Sequence, residues 1–284
     1  MRNKKEKITV QVSNSMQEKK RKGARSIKEI PEDILEQLNR GEIETANLVE
    51  FLGIDARVLL ETVLTQQNRK EYLQPILEQI DRLDKHTFVT INATIGEGLY
   101  EQTAGHRDCG FLPAISTHPS DLVRSWATVL IGRNSALNME QTLQNIRPFA
   151  ADKHFNVREC AWSAVRHNII QNLDESIRIL SGWAKDKDEN IRRFASEATR
   201  PRGVWCEQIA VLKENPEAGL PILEPLKSDP SGYVQNSVGN WLNDAGKTQP
   251  GFVRNLCRRW EKESGTKETA YIIKRALRTI DKVQ

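Results

Sequence analysis

An internal repeat in the second half of the chain most constrains its fold. Leu122–Val123–Arg124, Asn156–Val157–Arg158, Asn190–Ile191–Arg192 and Tyr233–Val234–Gln235 align at intervals of 34, 34 and 43 residues. An acid stands upstream each time, at Asp121, Asp152, Asp186 and Asp229. Periods of this size mark helical-pair solenoids, whose units bury their apolar faces only by stacking on one another. In this register Val123, Val157, Ile191 and Val234 form one apolar column. Ala127, Ala161, Ala195 and Val238 form a second column of small residues suited to close helix packing. Both are expected in the core.

The rest of the chain agrees. IPEDILEQLNRG has Pro31 at a helix start and Gly41 at its end, the expected asymmetry. Residues 68–83, NRKEYLQPILEQIDRL, predict a helix kinked or broken near Pro75. KHTFVTINATIG, from Lys85 to Gly96, is the one β-rich run, and its flanks argue for helix. An acid ahead of Val-Arg resembles HEAT-type repeats, so the expected fold is all-α, a right-handed α-solenoid of HEAT-like units. A basic arm over 1–25 would precede one repeat domain over 26–284. Its clearer repeats span 116–284, its N-terminal helices span 26–115, and ETAYIIKRALRTID closes the far end.

Composition narrows the function. The chain has 284 residues, and its longest apolar runs, such as Ala127–Gly132, are far too short to span a membrane. No signal-peptide pattern opens it, which points to a cytoplasmic protein. Cys109, Cys160, Cys206 and Cys257 lie far apart with no CxxC pair, so reduced thiols are expected rather than disulfides or zinc. The five histidines have no metal-ligand spacing, and phosphate-loop, dinucleotide-binding and nucleophile-elbow motifs are absent. No cofactor is expected, and any catalysis must run on carboxylates. Residues 1–30 carry a net charge of +7 while the remaining 254 carry −3. That locates the basic excess in the arm, where it either stays solvated or adds affinity for nucleic acid.

One stretch stands out, NIRRFASEATRPRGVW (Asn190–Trp205). Glu197 has Arg193 four residues before it and Arg200 three after, on one helix face. Three polar columns pass through these positions: Ser125, Glu159, Arg193 and Asn236; Val129, Ser163, Glu197 and Asn240; Gly132, Arg166, Arg200 and Asn243. Arg158 and Arg192 read as stacking residues of the repeat. Arg200 and Arg202 flank Pro201, a stiff turn able to aim guanidinium groups at phosphates, with Trp205 as an aromatic face beside them.

RRFASEATRPRGVW, with VRECAWSAVR upstream and YVQNSVGNWLNDAGK downstream, resembles the AlkC-type branch of the HEAT-like DNA alkylation-repair glycosylases. The resemblance runs from about Ile30 to the C-terminus. It implies excision of cationic N-alkylated bases such as 3-methyladenine from double-stranded DNA held along the concave surface, by a monomer. Glu197 matches the acid of the Ser-Glu pair, and Asp244 matches the aspartate of the NLND-like motif, here NWLNDAG. Arg193, Arg200, Arg202 and Trp205 match the surrounding motif. Glu159, with Trp162 three residues on, is a further catalytic candidate; Trp162 and Arg166 join the expected DNA contacts. The sequence departs from the family at Ala198, where glycine is usual, and in RPRGVW for an RPRLPW-like ending. Many relatives carry an immunoglobulin-like domain after the repeats, and none is expected within these 284 residues. The competing reading is a non-catalytic HEAT module that binds damaged or branched DNA.

Overall fold

The computed structural model of the chain describes residues 21–203 and 206–282. Helices α1 (Glu32–Asn39), α2 (Leu48–Gly53), α3 (Ala56–Gln66), α4 (Leu73–Asp81), α5 (Phe88–His106) and α6 (Phe111–Ser116) make the N-terminal part. The repeats follow as α7 (Asp121–Arg133), α8 (Met139–Ala150), α9 (Phe155–Ala164), α10 (Arg166–Gln171), α11 (Leu173–Trp183) and α12 (Glu189–Glu197). Then come α13 (Ala210–Glu214), α14 (Leu220–Leu223), α15 (Gly232–Gly246), α16 (Pro250–Glu263) and α17 (Lys267–Leu277). The described residues contain no strand, as the repeat period demands, and none of their helices is long and apolar enough to cross a membrane.

Local chemistry sets the boundaries. Thr87 caps α5 in a reciprocal box with Thr90, so the β-branched run FVTI is nucleated as helix, and Arg107 ends it in the left-handed region at φ 53°. Pro75 lies in the first turn of α4, where its missing N–H costs nothing, and a separate short turn, Lys70–Tyr72, precedes it. The break expected near Pro75 therefore falls just before it.

Helices α5, α7, α9, α12, α15 and α17 stack as one layer, with α4, α6, α8, α11, α14 and α16 behind. All eight residues of the two core columns are fully buried. Small side chains at Ala127, Ala161 and Ala195 allow close approach, and burial of this continuous core is the main stabilising term. Helix α17, the expected closing unit, packs on α15 and α16.

The arginine of each repeat folds back on its own loop. Arg124 Nη1 donates to the carbonyls of His118 and Pro119 (2.8 and 2.9 Å), Arg158 to Asp152 and Lys153 (2.7 and 3.0 Å), and Arg192 to Asp186 and Lys187 (both 3.0 Å). Gln235 repeats the bond with Asp229 at 2.8 Å. The remaining donors reach the next repeat, Arg124 to Asp152 and Arg192 to Asp229. Such bidentate pairs fix the register between units. The ladder breaks once. Asp186 pairs with Arg147, and Arg158 turns its Nε to the Tyr233 hydroxyl at 3.4 Å. The break falls beside the polar columns.

A loop ahead of α2 straps the first two repeats. Thr45 donates its N–H and hydroxyl to buried Asp121 (2.9 and 2.8 Å), and Arg124 reaches Glu44 at 2.5 Å. Arg21 pairs with the buried carboxylate of Glu50 at 2.5 Å, and Asn47 Nδ2 donates to the Ala24 carbonyl at 2.7 Å. The last residues of the basic arm thus dock on α2; residues 1–20 lie outside those described. The four cysteines are free thiols. His118 and His154 are buried and hydrogen-bonded.

Candidate active site

Helix α12 ends at Glu197, and the chain turns through Ala198–Pro201 with Arg200 N–H on the Glu197 carbonyl at 3.3 Å. This turn rests on Arg166, whose guanidinium donates to the carbonyls of Glu207 (2.6 Å), Ala198 (3.0 Å) and Arg200 (2.7 Å). Arg166 is only 2% exposed. Burial pushes its pKa down and the nearby charge of Arg200 adds to this, with no carboxylate bonded to it. It is a strut for the turn and faces no solvent, unlike the phosphate contact its column suggested.

The turn carries Arg200 inward. Its Nη1 donates to Glu197 Oε1 at 2.8 Å, while Nε and Nη2 both donate to Asp244 Oδ2 on α15, at 2.9 and 2.7 Å. Lys247 adds a donor to Asp244 Oδ1 at 3.1 Å. The other Glu197 oxygen accepts from Ser237 at 2.7 Å, and Ser196 donates to Ser237 at 2.8 Å. Glu197, Arg200 and Asp244 are 6%, 8% and 3% exposed. Burial pushes the Glu197 carboxyl up, but Arg193, Arg200 and the Ser237 hydroxyl together hold it below its ordinary value. It is an anion at neutral pH. Arg200 is likewise raised, the two carboxylates outweighing its own burial.

A second layer lies toward solvent. Arg193 Nη2 stands 2.7 Å from Glu159 Oε1 and 3.7 Å from Glu197 Oε2, with its guanidinium carbon 4.3 Å from the centroid of the Tyr233 ring. Glu159 also accepts from the Trp162 indole at 2.8 Å, and its side chain is 40% exposed. Arg158 stands over the same Tyr233 ring at 5.2 Å. One planar cation is thus held on an aromatic ring between two carboxylates.

The structure therefore brings together Glu159, Trp162, Arg193, Glu197, Arg200 and Asp244 across three adjacent helices. Arg202 is half-buried, its Nε without a partner among the described residues, and Trp205 lies outside them. Sequence reasoning missed Tyr233 and Ser237. Both stand on α15 at the start of an aligned repeat, and Tyr233 interrupts a column of Leu and Asn, the one signal that marked it. Opposite Glu197 the repeat alignment expects Asn240; the helices meet about one turn earlier, at Ser237.

Residues 159–280, which hold this whole cluster, match the family described as DNA alkylation repair enzyme. Over these repeats the chain is similar to that family. Among similar proteins, the uncharacterized protein YhaZ of Bacillus subtilis (strain 168) is 47% identical over 87 residues, 30% of this chain and 24% of its own length. The alkylpurine DNA glycosylase AlkC of Pseudomonas fluorescens, solved bound to DNA containing an abasic site analog, superposes with a TM-score of 0.59 at 25% identity. That match covers 78% of this chain and 59% of AlkC. AlkD2 of Streptococcus mutans shares the fold, with a TM-score of 0.56 at 24% identity over 72% of this chain and 97% of AlkD2. The chain thus spans about a quarter of the length of YhaZ and 59% of that of AlkC. The match to the alkylation-repair family falls on the residues that hold the carboxylates, arginines and aromatic faces of this site.

Proposed function

We propose that the chain is a DNA glycosylase that removes cationic N-alkylated bases of the 3-methyladenine type from double-stranded DNA by hydrolysing the N-glycosidic bond. The observation that carries this reading is the Arg193 guanidinium lying on Tyr233 between Glu159 and Glu197. A place that holds one planar cation with a ring face and two anions suits another, the oxocarbenium-like sugar of the transition state.

The chemistry asks little more. An N3-alkylated purine is already cationic and leaves as a neutral base, so no strong general acid is needed. Fixed anions near C1′ lower the barrier, because they stabilise charge that develops there and need not reorganise. Glu159, the carboxylate most open to solvent, stands where it can meet the sugar or orient water. Glu197 lies one helix deeper with its charge preserved by arginines. Asp244 shares Arg200 with Glu197, so Arg200 divides its charge between two acids and leaves Glu197 with negative charge to offer. Trp162 can pack on sugar or exposed base.

Release of free 3-methyladenine from methylated duplex DNA tests the reading. The low exposure of Glu197 and Asp244 favours a second one, a binding module in which the ion cluster only holds helices together. Tight binding of damaged DNA with no base release would establish it.

A further inference from the structure

Of the arginines expected to contact DNA, Arg166, Arg193 and Arg200 are spent on carboxylates and carbonyls, while Arg202 keeps its Nε buried without a partner among the described residues. Arg166 and Arg200 have no donor directed at solvent, and Arg192 and Arg193 are ion-paired. At the end of α17 the position differs. Arg275 and Arg278 pair with no carboxylate among the described residues. With Tyr271 they stand at i, i+4 and i+7, on one face of α17 and its cap.

This face continues the polar columns. The Tyr271 hydroxyl donates to Asn236 at 2.8 Å, and Arg275 Nε donates to Asn240 at 3.2 Å, so both rest on the α15 residues that extend the columns of Arg193 and Glu197. Gly239 makes room for Arg275; a Cβ there would stand 2.8 Å from the Cβ of Arg275. Asn243 donates to the Ala276 carbonyl at 3.1 Å and fixes the end of α17. Arg278 Nη1 is turned back on the Arg275 carbonyl at 2.8 Å, and its other nitrogens have no partner among the described residues. Asn243, the chain neighbour of Asp244, donates to the hydroxyl of Thr279, the chain neighbour of Arg278, at 3.0 Å, which sets Arg278 on the side of the buried ion cluster. Burial and the neighbouring Arg275 both push its pKa down, so an anion arriving here would relieve a local excess of positive charge.

We infer that Arg275 and Arg278 form the phosphate clamp of this protein, taking the DNA phosphodiester that adjoins the nucleotide whose sugar faces the Glu197–Asp244 cluster. The inference rests on the proposed role in DNA repair but not on catalysis. The clamp lies on the last described helix, one helix beyond Asp244. Grip and chemistry are thereby rigidly connected through α15.

The test is the salt dependence of duplex binding by the full chain carrying Arg275→Gln and Arg278→Gln. Glutamine keeps a donor for Asn240 and for the helix-end carbonyl, and a thermal melt verifies folding. Each lost phosphate contact should lower the slope of log K against log salt by about 0.9. Arg259→Gln on α16 removes one charge, as each clamp substitution does, and should leave the slope unchanged. Neutral methylphosphonates placed singly around an abasic-site analog give the position. One linkage beside it should weaken parental binding and have no further effect on the double variant. An unchanged slope in a folded double variant, or a slope lowered equally by Arg259→Gln, overturns the clamp. Competition by inorganic phosphate that matches competition by duplex DNA would also overturn it, since a free anion would then be the ligand. If parental protein releases no methylated base but the slopes fall as stated, the clamp stands and the glycosylase reading fails. Release with unchanged slopes gives the reverse.

Discussion

Arg200 Nη2 and Asp244 Oδ2 lie 2.7 Å apart, 44 residues distant in sequence, one on the turn that follows α12 and the other on α15. The same guanidinium donates to Glu197, so one buried cation is divided between two acids from different repeats. The role expected of Arg200 changes with that arrangement.

Arg200→Ala is expected to act on stability rather than on DNA affinity. It leaves Glu197 and Asp244 buried without their shared partner, a loss on the order of 3–5 kcal/mol. The salt slope of binding should hardly move, because Arg200 is bonded to carboxylates and nearly inaccessible. Chemical denaturation and salt titration of the same sample check both halves. A stable variant with a shallower slope would show that Arg200 faces phosphate.

Asp244→Asn should lower excision indirectly. With Asp244 neutral, the charge of Arg200 falls on Glu197 alone and offsets the anion that the sugar needs. A single-turnover rate reduced about a hundredfold is expected, the scale of losing one preorganised electrostatic group. Combined with Glu197→Gln the effects should be far from additive, as for groups acting on one centre. Fully multiplicative losses would separate the two acids.

Much of this was legible in the sequence. The apolar columns came from periodicity because every unit must bury the same face, and the structure buries all eight residues. The grouping of Glu159, Arg193 and Glu197 came from the same register. The direction in which Arg200 and Arg166 point was not legible. A helix-end arginine can face solvent or fold inward, and the choice depends on Asp244 and on backbone carbonyls that only the packed helices bring near. The meeting of Glu197 with Ser237 was hidden for a related reason, since the repeat of 43 residues shifts by about one turn where α12 crosses α15.

Truncation should divide the basic arm in two. Removal of residues 1–20 is expected to leave Tm nearly unchanged and to flatten the salt dependence of DNA binding. Removal of 1–25 also takes Arg21 from the buried Glu50 carboxylate and should lower Tm clearly. Equal melting temperatures for the two truncations would show the Arg21–Glu50 pair to be idle.

Acid should weaken the fold through His118. Burial first, and then the charge of Arg124, lowers its pKa from 6.5 to about 4. The folded state therefore keeps it neutral while the unfolded chain protonates it. This stability is complete above pH 6.5 and is lost as pH falls toward 4, by up to about 3 kcal/mol. Denaturation from pH 7 to 4 in parental protein and His118→Gln measures it. A variant with the parental pH dependence would place the titration elsewhere.

The central claim is that Glu197 supplies charge to the reaction and not merely to the packing of α12 on α15. Single-turnover excision of 3-methyladenine from methylated duplex, at saturating enzyme, reports chemistry free of binding and tests this most directly. Glu197→Gln preserves the shape and the hydrogen bond with Ser237 while removing the charge. A rate at least about a hundredfold lower, with DNA affinity retained or raised, is the predicted result. Excision at the parental rate by folded Glu197→Gln protein would contradict the account.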